Sequence, residues 1–163
     1  MPVQEKRAGV LDTPLGKDKL AIVRFDGSEG VNELFEWRLE AVSAEGDIDF
    51  DGLIGKHATL TINGVNGRKR KFDGIVTEAR WLGVRDHFHA YRLVLRPWLW
   101  VLSQRTDNYI FHEMSVTDII ADVFSDYGAL AEFDDRTSAA YPPIEYCVQY
   151  RESDLNFVQR LLE

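Results

Sequence analysis

Residues 35–41 read FEWRLEA, and in them Phe35, Trp37, Leu39 and Ala41 alternate with Glu36, Arg38 and Glu40. A period of two sends successive side chains to opposite faces of an extended chain. The segment is therefore a strand with one face for a core and one for water, and its neighbours follow the same pattern. Upstream, LAIVRF (20–25) is a strand candidate, and Asp26-Gly27-Ser28-Glu29-Gly30 supplies turn residues after it. Downstream, EGDIDFDGLIGKH (45–57) predicts a loop anchored inward by Ile48, Phe50, Leu53 and Ile54. ATLTIN (58–63) alternates again, and NGVNG (63–67) offers two Asn-Gly turn sites in a row. RKRKFDGIVTEARWLG (68–83) is its long partner, with Gly74 as a bulge candidate. Gly83 to Asp86 predict a turn, and His87 to Leu95 a further strand that runs into Arg96-Pro97 and the apolar WLWVL (98–102).

The period changes after Phe111. Ser115-Val116-Thr117-Asp118 has the form of a capping box with Asp in place of Glu, and Met114 and Ile119 stand where a hydrophobic staple would. Val116, Ile119, Ile120, Val123 and Phe124 keep helical spacing, and Gly128 suits a C-terminal cap, which predicts a helix over 116–127. Residues 128–144 form a loop stiffened by Tyr141-Pro142-Pro143. Tyr146 to Tyr150 form a strand, and Ser153 caps a second helix with Leu155, Val158, Leu161 and Leu162 on its apolar side. The resulting fold class is mainly β with two α-helices (α+β), its strands forming an antiparallel barrel-like sheet. Residues 1–18, with Pro2, Pro14 and Gly16, read as a flexible N-terminal segment.

The totals fit one ordinary domain: 163 residues, 45% hydrophobic and 28% charged. A chain of this size buries roughly 70% of its unfolded surface and needs no disulfide or metal staple. Nineteen basic residues stand against twenty-seven acidic ones, a net charge of −8, which disfavours nucleic acid and anionic membranes as partners. The lone Cys147 excludes an internal disulfide framework. The N-terminus has no apolar stretch of signal-peptide length and no run is long enough to span a bilayer.

Chemistry is sparse. His87-x-His89 is the one metal-like spacing, two imidazoles expected on the same strand face, but no third ligand is fixed beside it. Both are read as surface or half-buried strand histidines. His57 and His112 are read as packing or capping residues, and Cys147 as a small buried hydrophobe. The Asp134-Asp135 pair is read as a solvated loop. Arg68-Lys69-Arg70-Lys71 alternates across a strand, so at most two of the four share a face, and it is read as solvated too. Trp98, Trp100, Tyr109 and Phe111 are assigned to the core. No nucleophile elbow, phosphate loop or zincin helix is present. No catalytic, cofactor or metal site is expected.

Three stretches resemble one family. They are LIGKHATLTI (53–62) with FDGIVTEARWLG (72–83), then YRLVLRPWLWVLSQRTDNYIF (91–111), then YPPIEYCVQYRESDLNFVQRLLE (141–163). In that order they are similar to the N-terminal region of the VgrG spike proteins of bacterial type VI secretion systems, from about Leu20 to Glu163. The resemblance singles out Arg96, Pro97, Trp98, Tyr146, Tyr150, Arg151, Glu152 and Asp154 as structural signature residues, none of them catalytic. It implies a relative of the contractile phage baseplate hub. On that pattern residues 19–111 would form a first hub β-barrel. Residues 112–163 would lead into a second hub domain lying outside this chain, against which Leu161 and Leu162 would pack.

The implied partners are further copies in a homotrimer when the protein is full length, a hexameric tube protein on which the hub seats, and a tip-capping protein and effectors held by more distal parts. This fragment alone is expected to be a monomer or weakly associated. The implied itinerary is assembly in the bacterial cytoplasm, then export through the type VI apparatus without a signal peptide. A phage-type tail hub shares the fold, and a cell-wall hydrolase or an effector-docking module on the same scaffold are the competing readings.

Overall fold

In the stretch 36–43 the buried positions are Trp37, Leu39, Ala41 and Ser43, as the alternation requires. The computed structural model describes residue 4, residues 8–64 and residues 66–163, and it divides into two units, residues 1–97 and residues 98–163.

The first unit is one six-stranded antiparallel sheet. Its strands are β1 (Gly9–Asp12), β2 (Ala21–Ser28), β3 (Glu36–Ser43), β4 (His57–Asn63), β5 (Lys69–Arg85) and β6 (Phe88–Arg96). They are ordered β1-β4-β5-β6-β3-β2. The sheet curls into a half-barrel, and its two outer strands approach: a β-carbon on Gly9 of β1 would lie 3.0 Å from Ile22 Cγ2 of β2. Leu11, Leu20, Trp37, Leu39, Leu53, Leu60, Tyr91, Leu93 and Leu95 fill the concave side. Burial of such side chains contributes about 1.5–3 kcal/mol each.

Several expectations are corrected here. The segment 1–18 is not loose throughout: Gly9–Asp12 pair with Thr59–Ile62, and Leu11, opposite Leu60, extends the apolar face of the sheet. The rest of that expectation, at residues 1–3 and 5–7, lies outside the described residues, as does Val65 of the NGVNG turn. Asp26-Gly27-Ser28 continue β2 instead of turning, paired with Glu36–Arg38. Ile54 is exposed rather than an inward anchor, its backbone bridging to Val76 while Leu53 takes the buried position. Gly74 is not a bulge but pairs in register with Ala58. Its role is close approach, since a β-carbon there would sit 2.9 Å from the Arg96 carbonyl oxygen and 3.1 Å from Phe35. The bulges of β5 fall at Val76–Glu78 and Trp81–Gly83. The turn after β5 is Asp86-His87, both in the left-handed region (φ 47° and 68°), the backbone that a two-residue hairpin needs.

The second unit begins with a 3-10 helix, Trp98–Gln104, followed by β7 (Thr106–Met114), α1 (Val116–Ser125), β8 (Ile144–Ser153) and α2 (Asp154–Leu162). β7 and β8 make a two-stranded antiparallel ribbon. The expected boundary at 111 is therefore displaced. β7 belongs with the residues after it, because its partner strand lies thirty residues further on. The helix at 116–127 ends at Ser125, with Asp126 as its C-cap. Both predicted N-caps hold: Ser115 Oγ accepts from the Asp118 N–H at 3.2 Å, and Ser153 Oγ from the Asn156 N–H at 3.2 Å. Leu102, Phe111, Ile119, Val123, Phe124, Cys147, Phe157 and Val158 form the core.

Charge is unevenly divided. Residues 1–97 carry fifteen Lys and Arg against fifteen Asp and Glu, and residues 98–163 carry four against twelve, so the whole net charge of −8 resides in the second unit.

Candidate functional site

The signature residues fall into three groups. Arg96, at the end of β6, is three-quarters or more buried along its side chain and ties three strands together. Its guanidinium donates to Glu36 Oε2 at 2.6 and 2.9 Å, to Thr77 Oγ1 at 2.8 Å and to Glu78 Oε1 at 2.9 Å. The hydrogen bonds from Arg96 hold the Glu36 carboxyl below the usual range; burial opposes them, and the bond from Arg38 adds a lesser lowering effect. Pro97 ends the sheet. Trp98 opens the second unit, its indole N–H donating to the Glu132 carbonyl at 2.9 Å and its ring meeting Phe124 edge-on at 4.8 Å.

The second group is a buried polar lock at the start of α2. Asp154 is 2% exposed. One carboxylate oxygen accepts from Gln149 Nε2 at 2.7 Å and the other from the Tyr127 hydroxyl, while its backbone N–H donates to the Arg105 carbonyl at 3.1 Å. Arg105 lies 3.7 Å from the same carboxylate and donates to Asp107 at 2.7 Å and Asp126 at 2.5 Å. Burial, then the bond to Asp154, push the Tyr127 phenol far up, and Asp126 and Asp107 hold Arg105 firmly charged. A cavity of about 210 Å³ beside this group is lined by Arg105, Asp107, Tyr109, Asp122 and Asp126 among others. A general acid needs a raised carboxyl pKa. Asp107 is instead held low by Arg105. The chemistry of the cluster is that of a structural tie between ribbon and helix.

The third group is the outward face of the ribbon. Alternation buries Phe111, Cys147 and Gln149 and turns Asn108, Ile110, His112, Tyr146, Val148 and Tyr150 outward. Directly opposed pairs are Asn108 with Tyr150, Ile110 with Val148, and His112 with Tyr146. Tyr150 is 64% exposed, Ile110 62% and Tyr146 59%, with Val148 beside them. His112 meets Tyr146 edge-on at 4.7 Å. A bulge at Arg151 sets that residue at φ 50°, its N–H donating to Asn108 Oδ1 at 3.0 Å and its guanidinium 5.2 Å from the Tyr150 ring. Glu152 is paired with Arg160 at 2.7 Å. With two β-branched residues and two tyrosines side by side, this solvent face has an apolar character unlike an ordinary wet strand face.

The remaining candidates are scattered. His87 sits in the turn, not on a strand face, so the His87-x-His89 pair is not assembled. His89 is half-buried against Gly46, its Nδ1 without a hydrogen bond. Among the described residues no cluster of three or more His, Cys, Asp or Glu could hold a metal, and no helix is long and apolar enough to cross a membrane. His57 is exposed with Nδ1 2.8 Å from Asp73, and Cys147 is buried, its thiol pushed up by burial. Asp134 pairs with Arg136 at 2.7 Å, and Asp135 is held low by the Thr137 backbone. Arg68, Lys69, Arg70 and Lys71 are all exposed, with Arg70 engaging Glu29 and the Phe72 ring. Phe111 joins the core, but Tyr109 is exposed, against expectation, because it lies at the cavity rim. Sequence reasoning missed Arg105, Tyr127 and Gln149, which carry no local pattern. It also missed Ile110 and Val148, although their alternation with Phe111 and Cys147 was there to be read.

The family described as "Phage tail baseplate hub (GPD)" matches residues 28–163. The type VI secretion system spike protein VgrG1b of Pseudomonas aeruginosa is 41% identical over 160 residues, 98% of this chain and 22% of that protein. VgrG1c of the same organism is 40% identical over 160 residues, with the same coverage. This chain thus spans about a fifth of the curated relatives it matches. Among solved structures, the E. coli c3393 protein, described as a type VI secretion component similar to the T4 tail proteins gp27 and gp5, superposes with a TM-score of 0.75. It does so at 20% identity over 93% of this chain and 42% of that one. A Francisella PdpA–VgrG complex gives 0.63 at 13% identity, over 94% of this chain and 26% of that one. The curled sheet and the ribbon-helix unit are those of the hub fold, and the chain belongs to the phage tail baseplate hub family.

Proposed function

We propose that this chain is the hub portion of a type VI secretion spike, acting by assembly and by bearing load rather than by catalysis. The observation that carries this is identity of 41% across 98% of the chain with a named spike protein. The half-barrel would seat on a hexameric tube as one of the repeated barrels of a trimeric ring, and the signature residues are its internal ties: Arg96 within the first unit, Asp154 within the second. The outward face of the ribbon and the exposed Leu162 are where a second hub domain would pack in a full-length protein. Tip-capping protein and effectors would attach to more distal parts. Export would follow the type VI route from the cytoplasm.

The test is a chimaera in which residues 1–163 replace the matching region of the Pseudomonas aeruginosa VgrG1b protein. Restored secretion of the tube protein is the expected result, and its loss with Ile110→Lys or Val148→Lys is expected too. A folded chimaera that never restores secretion overturns the proposal. Wall-degrading activity from this chain, abolished by replacing one carboxylate, would establish the hydrolase reading instead.

A further inference from the structure

The outer face of the six-stranded sheet carries a row of charges across four strands. Arg24 of β2 is opposite Glu40 of β3, Glu40 is opposite Arg92 of β6, and Arg92 is opposite Arg80 of β5. Directly opposed residues share a face, so this row holds three guanidiniums and one carboxylate. Glu40 accepts from Arg92 at 2.9 Å and lies 3.7 Å from Arg85, while Arg24 reaches Asp26 at 3.4 Å. Arg80 makes no ion pair or hydrogen bond among the described residues, and its ladder partner is another arginine. Like charges directly opposite one another destabilise a sheet.

The second unit repeats this with the opposite sign. Asp118 and Asp122 of α1 and its C-cap Asp126 follow at intervals of four and are all exposed, so three carboxylates stand along one stripe. Asp118 accepts from Ser115 Oγ at 2.6 Å and Asp126 from Arg105 at 2.5 Å, but the Asp122 carboxylate has no partner among the described residues. Like charges at this spacing weaken a helix. With four basic residues against twelve acidic ones, the unit has little to offset them.

We propose that the arginine row of one copy of this chain docks on the aspartate stripe of α1 in a second copy. Each surface is unfavourable alone, and each relieves the other in such a contact. Their lengths agree: Arg24 to Arg80 covers three strand spacings, about 14 Å, and Asp118 to Asp126 covers eight helical residues, about 12 Å. The two unpartnered groups, Arg80 and Asp122, each gain an opposite charge. A second copy is the occupant because the chain's surplus negative charge lies wholly in residues 98–163, while residues 1–97 are neutral in sum. The contact joins two different surfaces, so it is head-to-tail, and every copy offers both halves.

Two charge reversals test this on the full chain. Arg80→Glu spoils the row and leaves the stripe, and Asp122→Lys spoils the stripe and leaves the row. Both variants should fold, with urea midpoints at or above the parent's, because each replaces a local repulsion by an attraction. Sedimentation equilibrium is read at about 20 mM salt, where the Debye length is about 20 Å, and at about 300 mM, where it is about 6 Å. The parent should associate at the lower salt and dissociate at the higher, and each variant alone should self-associate at least about tenfold more weakly. The decisive sample is an equal mixture of the two variants, in which every contact between unlike chains is charge-matched at these two positions. It should regain the parent's affinity, and since both variants remain net negative, mixing creates no overall attraction. A parent that stays monomeric at about 20 mM salt overturns the proposal. So do variants that associate as the parent does, and so does a mixture no tighter than either variant alone. None of these readouts involves secretion, so the hub reading stands or falls separately.

Discussion

The two units solve the problem of stability in different ways. The first wraps six strands around a broad apolar core, balances its charge, and among its described residues buries Gln4 and Ser43 but no charged side chain. The second has one ribbon and two helices, a smaller core and the whole net charge of the chain, and it places a carboxylate inside. A two-stranded ribbon is marginal by itself. Packing against helices and a buried polar tie make up for the missing strands, and the ribbon's outer face remains open for a partner. The unit with less core is the one with more to offer at its surface.

The largest expected effect bears on that smaller core. Phe157 stacks on Phe111 with ring centroids 5.4 Å apart and is fully buried. Phe157→Ala should cost about 4 kcal/mol in urea unfolding followed by amide exchange within residues 98–163. Next is the comparison of a polar with an apolar interior residue. Asp154→Ala strands the Tyr127 hydroxyl and Gln149 amide and should cost about 3 kcal/mol. That matches the roughly 3 kcal/mol expected for Leu93→Ala in the first unit. A loss below about 1 kcal/mol for Asp154→Ala would break the contrast between an apolar and a polar interior. Gly74→Ala comes third: its β-carbon has only 2.9 Å to the Arg96 carbonyl oxygen, and overpacking of this kind costs about 2 kcal/mol.

A smaller effect depends on pH. The Glu36 carboxyl is held below its ordinary 4.5 chiefly by Arg96. A depressed folded-state value means that the stabilisation is present above pH 4.5 and is lost as pH falls from there through the folded-state value. The urea midpoint of the first unit should therefore drop below pH 4.5, and Glu36→Gln should flatten that drop. A variant with the parent's acid profile would remove Glu36 from the account. The smallest expected effect is on the open face: Ile110→Thr should change stability by less than about 0.5 kcal/mol, since the side chain is already in water. A larger loss would mean that the ribbon face is part of the fold rather than a contact surface.

Much of this was legible one element at a time. FEWRLEA specified its own buried face, and Ser115 and Ser153 announced two helix starts, because periodicity and capping depend on residues within a turn or two of one another. The quoted resemblance named the family from the same chain. Partnership was not legible. Nothing in TDNYIFHEM said that it would leave the sheet before it and pair with a strand thirty residues later, and this displaced the unit boundary from 111 to 97. Gly74 looked like a bulge because a glycine in a strand has two meanings, and only the approach of the Arg96 carbonyl distinguishes them.

By itself, then, the sequence determined the buried face of FEWRLEA, the two helix starts at Ser115 and Ser153, and which family the chain resembles. Tertiary structure alone decided which strands are neighbours and where the chain divides. It also brought Arg105, Tyr127, Gln149 and Asp154 together, and left Ile110, Tyr146, Val148 and Tyr150 as one open face. The physical reason is range. Backbone propensity, side-chain period and caps act between near neighbours, whereas strand pairing and buried polar ties join residues tens of positions apart, and only the folded chain brings them within bonding distance.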